Sequence, residues 1–263
     1  MEVNQANKRR GIYLLPNLFT TAALFSGFYA IIAAFNGRFE PAVIAIFVAM
    51  ILDGVDGRVA RLTNTQSAFG AEYDSLSDMV SFGLAPAILI YAWSLSHLGK
   101  LGWIAAFIYT AGAALRLARF NTQLAEADKR FFQGLPSPAA AAIIAGMVWV
   151  SIDAEKLGVD FRWLAMLLTL FTGVLMVSNV RFYSFKKLDL HGRVPFVALL
   201  AMVLVFVLIS LHPPQVLFAT FIIYALSGPA VTIWLLLRRK RQLRHTGSHP
   251  PAPPSPPPTS PAS

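Results

Sequence analysis

Few environments accommodate a chain in which apolar segments of similar length follow one another almost from end to end. Eight such segments can be traced, at roughly 13–35, 41–61, 74–96, 101–120, 136–152, 162–180, 194–211 and 215–237. Most approach the ~20 residues that an α-helix needs to cross ~30 Å of hydrocarbon, and the fifth is the shortest. Lipid offers no hydrogen bonds to the backbone, so each segment must satisfy its own amides, which an α-helix does. Only 13% of the residues are charged, against about a quarter in a soluble domain. The expected fold is therefore all-α: one polytopic membrane bundle of about eight transmembrane helices.

The basic residues set an orientation. With the N-terminus in the cytoplasm, both termini and the loops near 58–73, 116–135 and 181–193 lie on that side. Together these hold 18 of the 22 Lys and Arg; Arg38, Lys100, Lys156 and Arg162 fall on the other. That asymmetry is the positive-inside pattern. The net charge of +9 thus reads as topology and affinity for anionic headgroups, with no nucleic acid partner implied. Lys8, Arg9 and Arg10 precede the first apolar segment without a small-residue cleavage pattern, so that segment is expected to stay as a helix. Cysteine is absent, which excludes disulfide and thiolate chemistry. The expected organisation is a cytoplasmic segment 1–11, a transmembrane domain 12–240, and a tail 241–263. The tail carries part of the basic run Arg238–Arg244 and then Pro and Ser, a composition expected to be disordered.

Acid is scarce, yet Asp53, Asp56, Asp74 and Asp78 fall within one stretch, DGVDGRVARLTNTQSAFGAEYDSLSD. Asp53 and Asp56 are three residues apart, and Asp74 and Asp78 four, so on helices each pair shares a face. The polar link from Leu62 to Phe69 lets the second helix return beside the first, bringing the pairs together. Four converging carboxylates cannot all stay ionised unless cations neutralise them. Hard divalent ions suit such oxygen donors, and two ions close together can clamp phosphoryl oxygens. Gly54, Gly57 and Ala60 keep the first helix slim where a ligand or a neighbour approaches. Arg61 could hold a phosphate by bidentate hydrogen bonds, and Arg58 could face headgroups. The competing explanation is helix capping, but caps call for one Asp per helix start and not two on one face.

The residues Asp53, Asp56, Gly57, Ala60 and Arg61, then, after eight intervening residues, Gly70, Asp74 and Asp78, spell D-x-x-D-G-x-x-A-R…G-x-x-x-D-x-x-x-D. This resembles the signature of the CDP-alcohol phosphatidyltransferase family, with no departure. The blocks LPNLFT, FGLAPA, RLARFN and FQGLPSPAA, across roughly residues 12–145, are shorter and resemble its phosphatidylserine synthase branch. The resemblance implies CDP-diacylglycerol as donor, L-serine as acceptor, CMP as product, two Mg²⁺ or Mn²⁺ ions, and a homodimer in the bacterial inner membrane with its site facing the cytoplasm. It implies Asp53, Asp56, Asp74 and Asp78 as metal ligands, with Asp78 taking the acceptor's proton. It further implies Asn17, Thr20, Gly57, Ala60, Arg61 and Gly70 around the CDP group.

Other positions stay open on sequence alone. Pro16 falls near the expected start of the first helix, where proline is tolerated. Asn17, Thr20 and Thr21 either bond within their own helix or, for Asn17 and Thr20, face the carboxylates. SFGLAPA, with Gly83 and Pro86, can kink the third helix. Arg116 and Arg119, three apart, either snorkel to the membrane surface or bind an anion, a substrate carboxylate or the lipid phosphate; Asn121 and Gln133 could meet an acceptor's ammonium group. The last three segments read as scaffold, and His97 and His191 have no assigned role. Glycerol 3-phosphate is the alternative acceptor. A cation transporter is the alternative class, but its carboxylates would lie near mid-membrane and not beside basic loops.

Overall fold

In a computed structural model, residues 2–123, 131–183 and 210–246 are described, with scattered positions between 200 and 208. The chain is a helix bundle: α1 (Glu2–Phe35), α2 (Phe39–Leu62), α3 (Ala68–Asp78), α4 (Ala85–Trp93), α5 (Lys100–Gln123), α6 (Ser137–Asp153), α7 (Arg162–Val177) and α8 (Pro213–Thr246). A π-helical turn, Met79–Leu84, joins α3 to α4, and short 3₁₀ turns follow α4 and precede α7. The all-α expectation holds but for two three-residue strands, β1 (Phe131–Gln133) and β2 (Arg181–Tyr183), paired antiparallel with Phe132 opposite Phe182.

Among the described residues, five stretches are long and apolar enough to cross a membrane: Pro16–Phe35, Ala68–Trp93, Lys100–Thr122, Gly158–Val177 and Pro213–Thr232. Two other expected spans are helices that depart from that standard. Helix α2 carries Asp53, Asp56, Arg58 and Arg61 in its last turns, and α6 has only 17 residues. The segment expected at 194–211 lies mostly outside the described residues. Pro16 sits well inside α1 and not near its start. The N-terminal segment 2–11 is continuous with α1, and α8 runs through the basic stretch to Thr246; the tail from 247 lies outside the described residues.

Packing follows the rule for helices in lipid, where close backbone approach stands in for hydrophobic burial. Helix α6 is the centre: Ala139 to Val148 are all buried. It packs on α2, α4, α7 and α8. Where α5 crosses α7, a Cβ on Gly112 would run into the Gly173 carbonyl, so the two glycines set that distance. Helix α1 lies so close to the π turn that a Cβ on Gly27 would strike the Ser81 backbone. Three serines bond α1 to its neighbours. Ser77 Oγ donates to Thr20 O (3.2 Å), Ser81 Oγ to Ala23 O (3.2 Å), and Ser26 Oγ to Ala45 O (2.8 Å).

A proline two residues past the π turn leaves one carbonyl inside it to be satisfied. Pro86 lacks an N–H, so the Phe82 carbonyl loses its ordinary α-helical donor. Tyr109 on α5, fully buried, donates its hydroxyl to that carbonyl at 3.0 Å. The turn begins at Met79, immediately after Asp78, so this bond supports the helix that carries two of the four aspartates. Tyr109→Phe leaves a buried carbonyl without a donor and should destabilise the protein by about 1–3 kcal/mol. A lowered unfolding midpoint in detergent checks this; an unchanged midpoint would show that the carbonyl finds another partner.

Candidate active site

The link Thr63–Ser67 turns the chain between α2 and α3. Asn64 takes a left-handed conformation (φ 52°). Ser67 caps α3 by accepting the Gly70 N–H at 3.0 Å. The reversal returns α3 against α1, which also packs on α2, and the aspartates meet across the gap between α2 and α3. One carboxylate oxygen from each of Asp53, Asp56 and Asp74 lies within 4.8 Å of the others. Asp78 stands outside this trio, with its carboxyl in hydrogen-bonding reach of Asp53. Asp56 is buried, and the other three are half-buried.

This donor set fits a hard divalent cation. Asp74 Oδ1 is buried and has no hydrogen-bond partner among the described residues, an expensive arrangement for an anionic oxygen unless an ion meets it. Thr20 on α1 donates to Asp56 Oδ2 at 2.7 Å, closer than to Pro16 O at 3.2 Å. That bond fixes the carboxylate and leaves its other oxygen for a ligand, the usual arrangement behind a metal-binding carboxylate.

The remaining residues singled out in the sequence separate into those beside the cluster and those away from it. Asn17 Oδ1 lies 3.5 Å from where a Cβ on Gly70 would be, so Asn17 and Gly70 are neighbours. A Cβ on Gly54 or Gly57 would meet nothing within 4 Å, so that face of α2 is open. Ala60 is half-buried, and Arg58 and Arg61 are exposed. Arg116 donates from Nη1 to Ser137 Oγ at 2.7 Å and is close enough to Asp78 and Asp53 to act as their counter-charge. Arg119, one turn on, reaches the end of α7 instead: Nη2 donates to Asn179 Oδ1 at 2.7 Å and Nη1 to Val177 O at 3.5 Å. Asn121 Nδ2 donates to Ser75 Oγ at 3.1 Å and ties α5 to the middle of α3. Gln133 lies on β1 opposite Arg181.

Two neighbours of the site had no role assigned from the sequence. Ser137 is the buried partner of Arg116; it lies in the block FQGLPSPAA, between Pro136 and Pro138 at a helix start. Tyr224, on a helix that read as scaffold, lies near Arg116 and packs its ring on Phe182 with centroids 5.5 Å apart. A lone tyrosine in an apolar helix gives no hint of what it faces.

A bundle of apolar, membrane-length helices with aspartates clustered from α2 and α3, Arg116 beside the cluster and an open glycine face is compatible with a divalent-metal site, the kind of donor set that serves phosphoryl chemistry. The chain belongs to the CDP-alcohol phosphatidyltransferase family, whose model it matches over residues 13–175. It is 37% identical to a CDP-diacylglycerol–serine O-phosphatidyltransferase of Helicobacter pylori, across 87% of this chain and 94% of the relative. Proteins of the same name from Mycobacterium leprae (33% identity, 75% of this chain and 69% of the relative) and Saccharomyces cerevisiae (38%, 48% and 50%) are also similar. With its apolar helices, the chain is a multi-pass membrane transferase.

Thr20→Val keeps the side-chain shape but removes the bond to Asp56. It should raise the Mn²⁺ or Mg²⁺ concentration needed for half-maximal activation by about 10- to 100-fold, read by metal titration of the purified protein. An unchanged titration would mean that Asp56 needs no orienting partner.

Proposed function

We propose that the chain transfers the phosphatidyl group of CDP-diacylglycerol to the hydroxyl of L-serine and releases CMP. The observation that carries this reading is the convergence of Asp53, Asp56 and Asp74 within 4.8 Å, with Asp78 and Arg116 beside them. The name shared by the relatives supports serine as acceptor. Asp53, Asp56, Asp74 and Asp78 would hold two divalent ions, Mg²⁺ or Mn²⁺. When bound, these ions neutralise the pyrophosphate and the charge that develops on departing CMP.

The chain's own residues do the rest. Asn17, Gly57, Ala60 and Gly70 form the surface on which the nucleotide lies, the glycine of α2 permitting close approach. Arg61, exposed at the end of α2, meets phosphate. Arg116 receives the carboxylate of serine, bidentate geometry favouring a guanidinium, while Asn121 and Gln133 border the acceptor. Asp78 accepts the serine hydroxyl proton as the oxygen attacks the phosphatidyl phosphorus, and the bond from that phosphorus to the CMP oxygen breaks.

Both termini and the aspartate end of the bundle face the cytoplasm, in a homodimer embedded in a bacterial inner membrane. Arg58, Arg61, Arg116 and Arg119 lie at the helix ends on the aspartate side. Arg38, Lys100 and Arg162 lie at the opposite ends of α2, α5 and α7, the sorting that the positive-inside rule favours.

Purified protein in detergent, given CDP-diacylglycerol and Mn²⁺, should release CMP with L-serine and not with glycerol 3-phosphate. Asp78→Asn should lower that release by about 10²- to 10⁴-fold. Release with glycerol 3-phosphate alone would keep the family and overturn the acceptor. Failure with every alcohol, in folded and metal-loaded protein, would overturn the catalytic reading.

A further inference from the structure

We infer that Ser137 is a positioning residue for the acceptor: it holds the Arg116 guanidinium at the edge of the aspartate cluster, where that cation receives the acceptor's carboxylate. The inference rests on serine being the acceptor.

An arginine side chain left to itself samples many rotamers. Arg116 and Arg119 leave neighbouring turns of α5, yet their partners differ. Arg119 is taken by Val177 O and Asn179 at the end of α7. Arg116 turns toward the start of α6, where Ser137, fully buried, accepts its Nη1 at 2.7 Å. Asp78 and Asp53 attract Arg116 by charge, but Ser137 is its hydrogen-bond partner among the described residues. The guanidinium is therefore parked on a neutral hydroxyl beside the carboxylates and is not consumed by an ion pair with them. A planar fork held at one nitrogen keeps further N–H groups to offer an incoming carboxylate.

Ser137 is itself held fast. Gly134 has a positive φ of 79° and donates its N–H to Val180 O at 2.9 Å. A Cβ there would run into Met176 O, so the loop lies directly on the end of α7. Leu135 N–H donates to Leu175 O at 3.1 Å, and Ala140 N–H to Pro136 O at 3.0 Å, starting α6. The segment carrying Ser137 is thus latched to α7 and β2 on one side and locked into a helix on the other. Tyr224 of α8 stands near the same guanidinium, so residues from α3, α6 and α8 surround it.

The test uses the full chain in mixed micelles with CDP-diacylglycerol and Mn²⁺, with L-serine and L-serine methyl ester as acceptors. Serine-dependent CMP release by the unsubstituted chain comes first and decides the reading beneath the inference. Ser137→Ala should then raise KM for L-serine by about 10-fold, with kcat and the KM for CDP-diacylglycerol within about 2-fold. Ser137→Thr, which keeps the hydroxyl, should restore the serine KM. The methyl ester has no carboxylate, so its kcat/KM should change little. Arg116→Lys, made in parallel in case Ser137→Ala does not fold, should penalise serine more than its ester. An unchanged serine KM, or equal penalties for serine and its ester, overturns the inference and leaves the synthase reading standing. Absence of serine-dependent release from the unsubstituted chain overturns both.

Discussion

Four carboxylates held together at the edge of a low-dielectric bundle are the constraint to which the rest of the structure answers. Mutual repulsion would drive Asp53, Asp56, Asp74 and Asp78 apart unless cations joined them. The fold supplies part of the compensation itself: Thr20 donates to Asp56, and Arg116 stands close to Asp78 and Asp53. What remains is the buried Asp74 Oδ1 with no partner among the described residues. A divalent ion is a donor-matched way to satisfy that oxygen, so the geometry that is costly for the carboxylates alone suits them to a metal.

Holding the carboxylates in register requires helices that approach closely. In lipid the apolar surroundings give little reason for helices to associate, and backbone proximity with occasional polar bonds must do so instead. Gly27 against Ser81 and Gly112 against Gly173 set two of the closest approaches. Ser77 and Ser81 then bond α3 and its π turn to α1, while Asn121 bonds α5 to Ser75. Helix α3, with only 11 residues, is thereby fixed from two sides. The π turn and the Tyr109–Phe82 bond complete its support below Asp78. Precision at the site comes from these contacts and not from the aspartates.

How legible a feature was in the sequence depended on how local its cause is. The aspartate spacing and the short polar link are properties of adjacent turns, so their convergence could be read directly. Thr20 could be placed on a helix near the site, but whether its hydroxyl served its own backbone or Asp56 depended on the distance between α1 and α2. Arg116 and Arg119 posed a harder problem. Both sit on one side of α5, and only the positions of α6 and α7 send the first to Ser137 and the second to Asn179. Ser137 lay within a recognisable block and Tyr224 in an apolar segment, but neither showed its role, since each matters through a partner on another helix. Hydropathy likewise blurred at two helices: α2 is charged at the end that forms the site, and α6, the most buried, has only 17 residues.

By itself the sequence determined a helical membrane bundle, the grouping of four aspartates and the side on which the basic residues gather. These follow from hydrophobic period, helix geometry and charge, all written along the chain. Only the tertiary structure decided which hydroxyl orients Asp56, which arginine faces the carboxylates and which caps α7, and how the chain turns past Pro86 without stranding a carbonyl. Those outcomes depend on distances between helices far apart in sequence, set by glycine contacts and buried serines, and no periodicity within one segment encodes them.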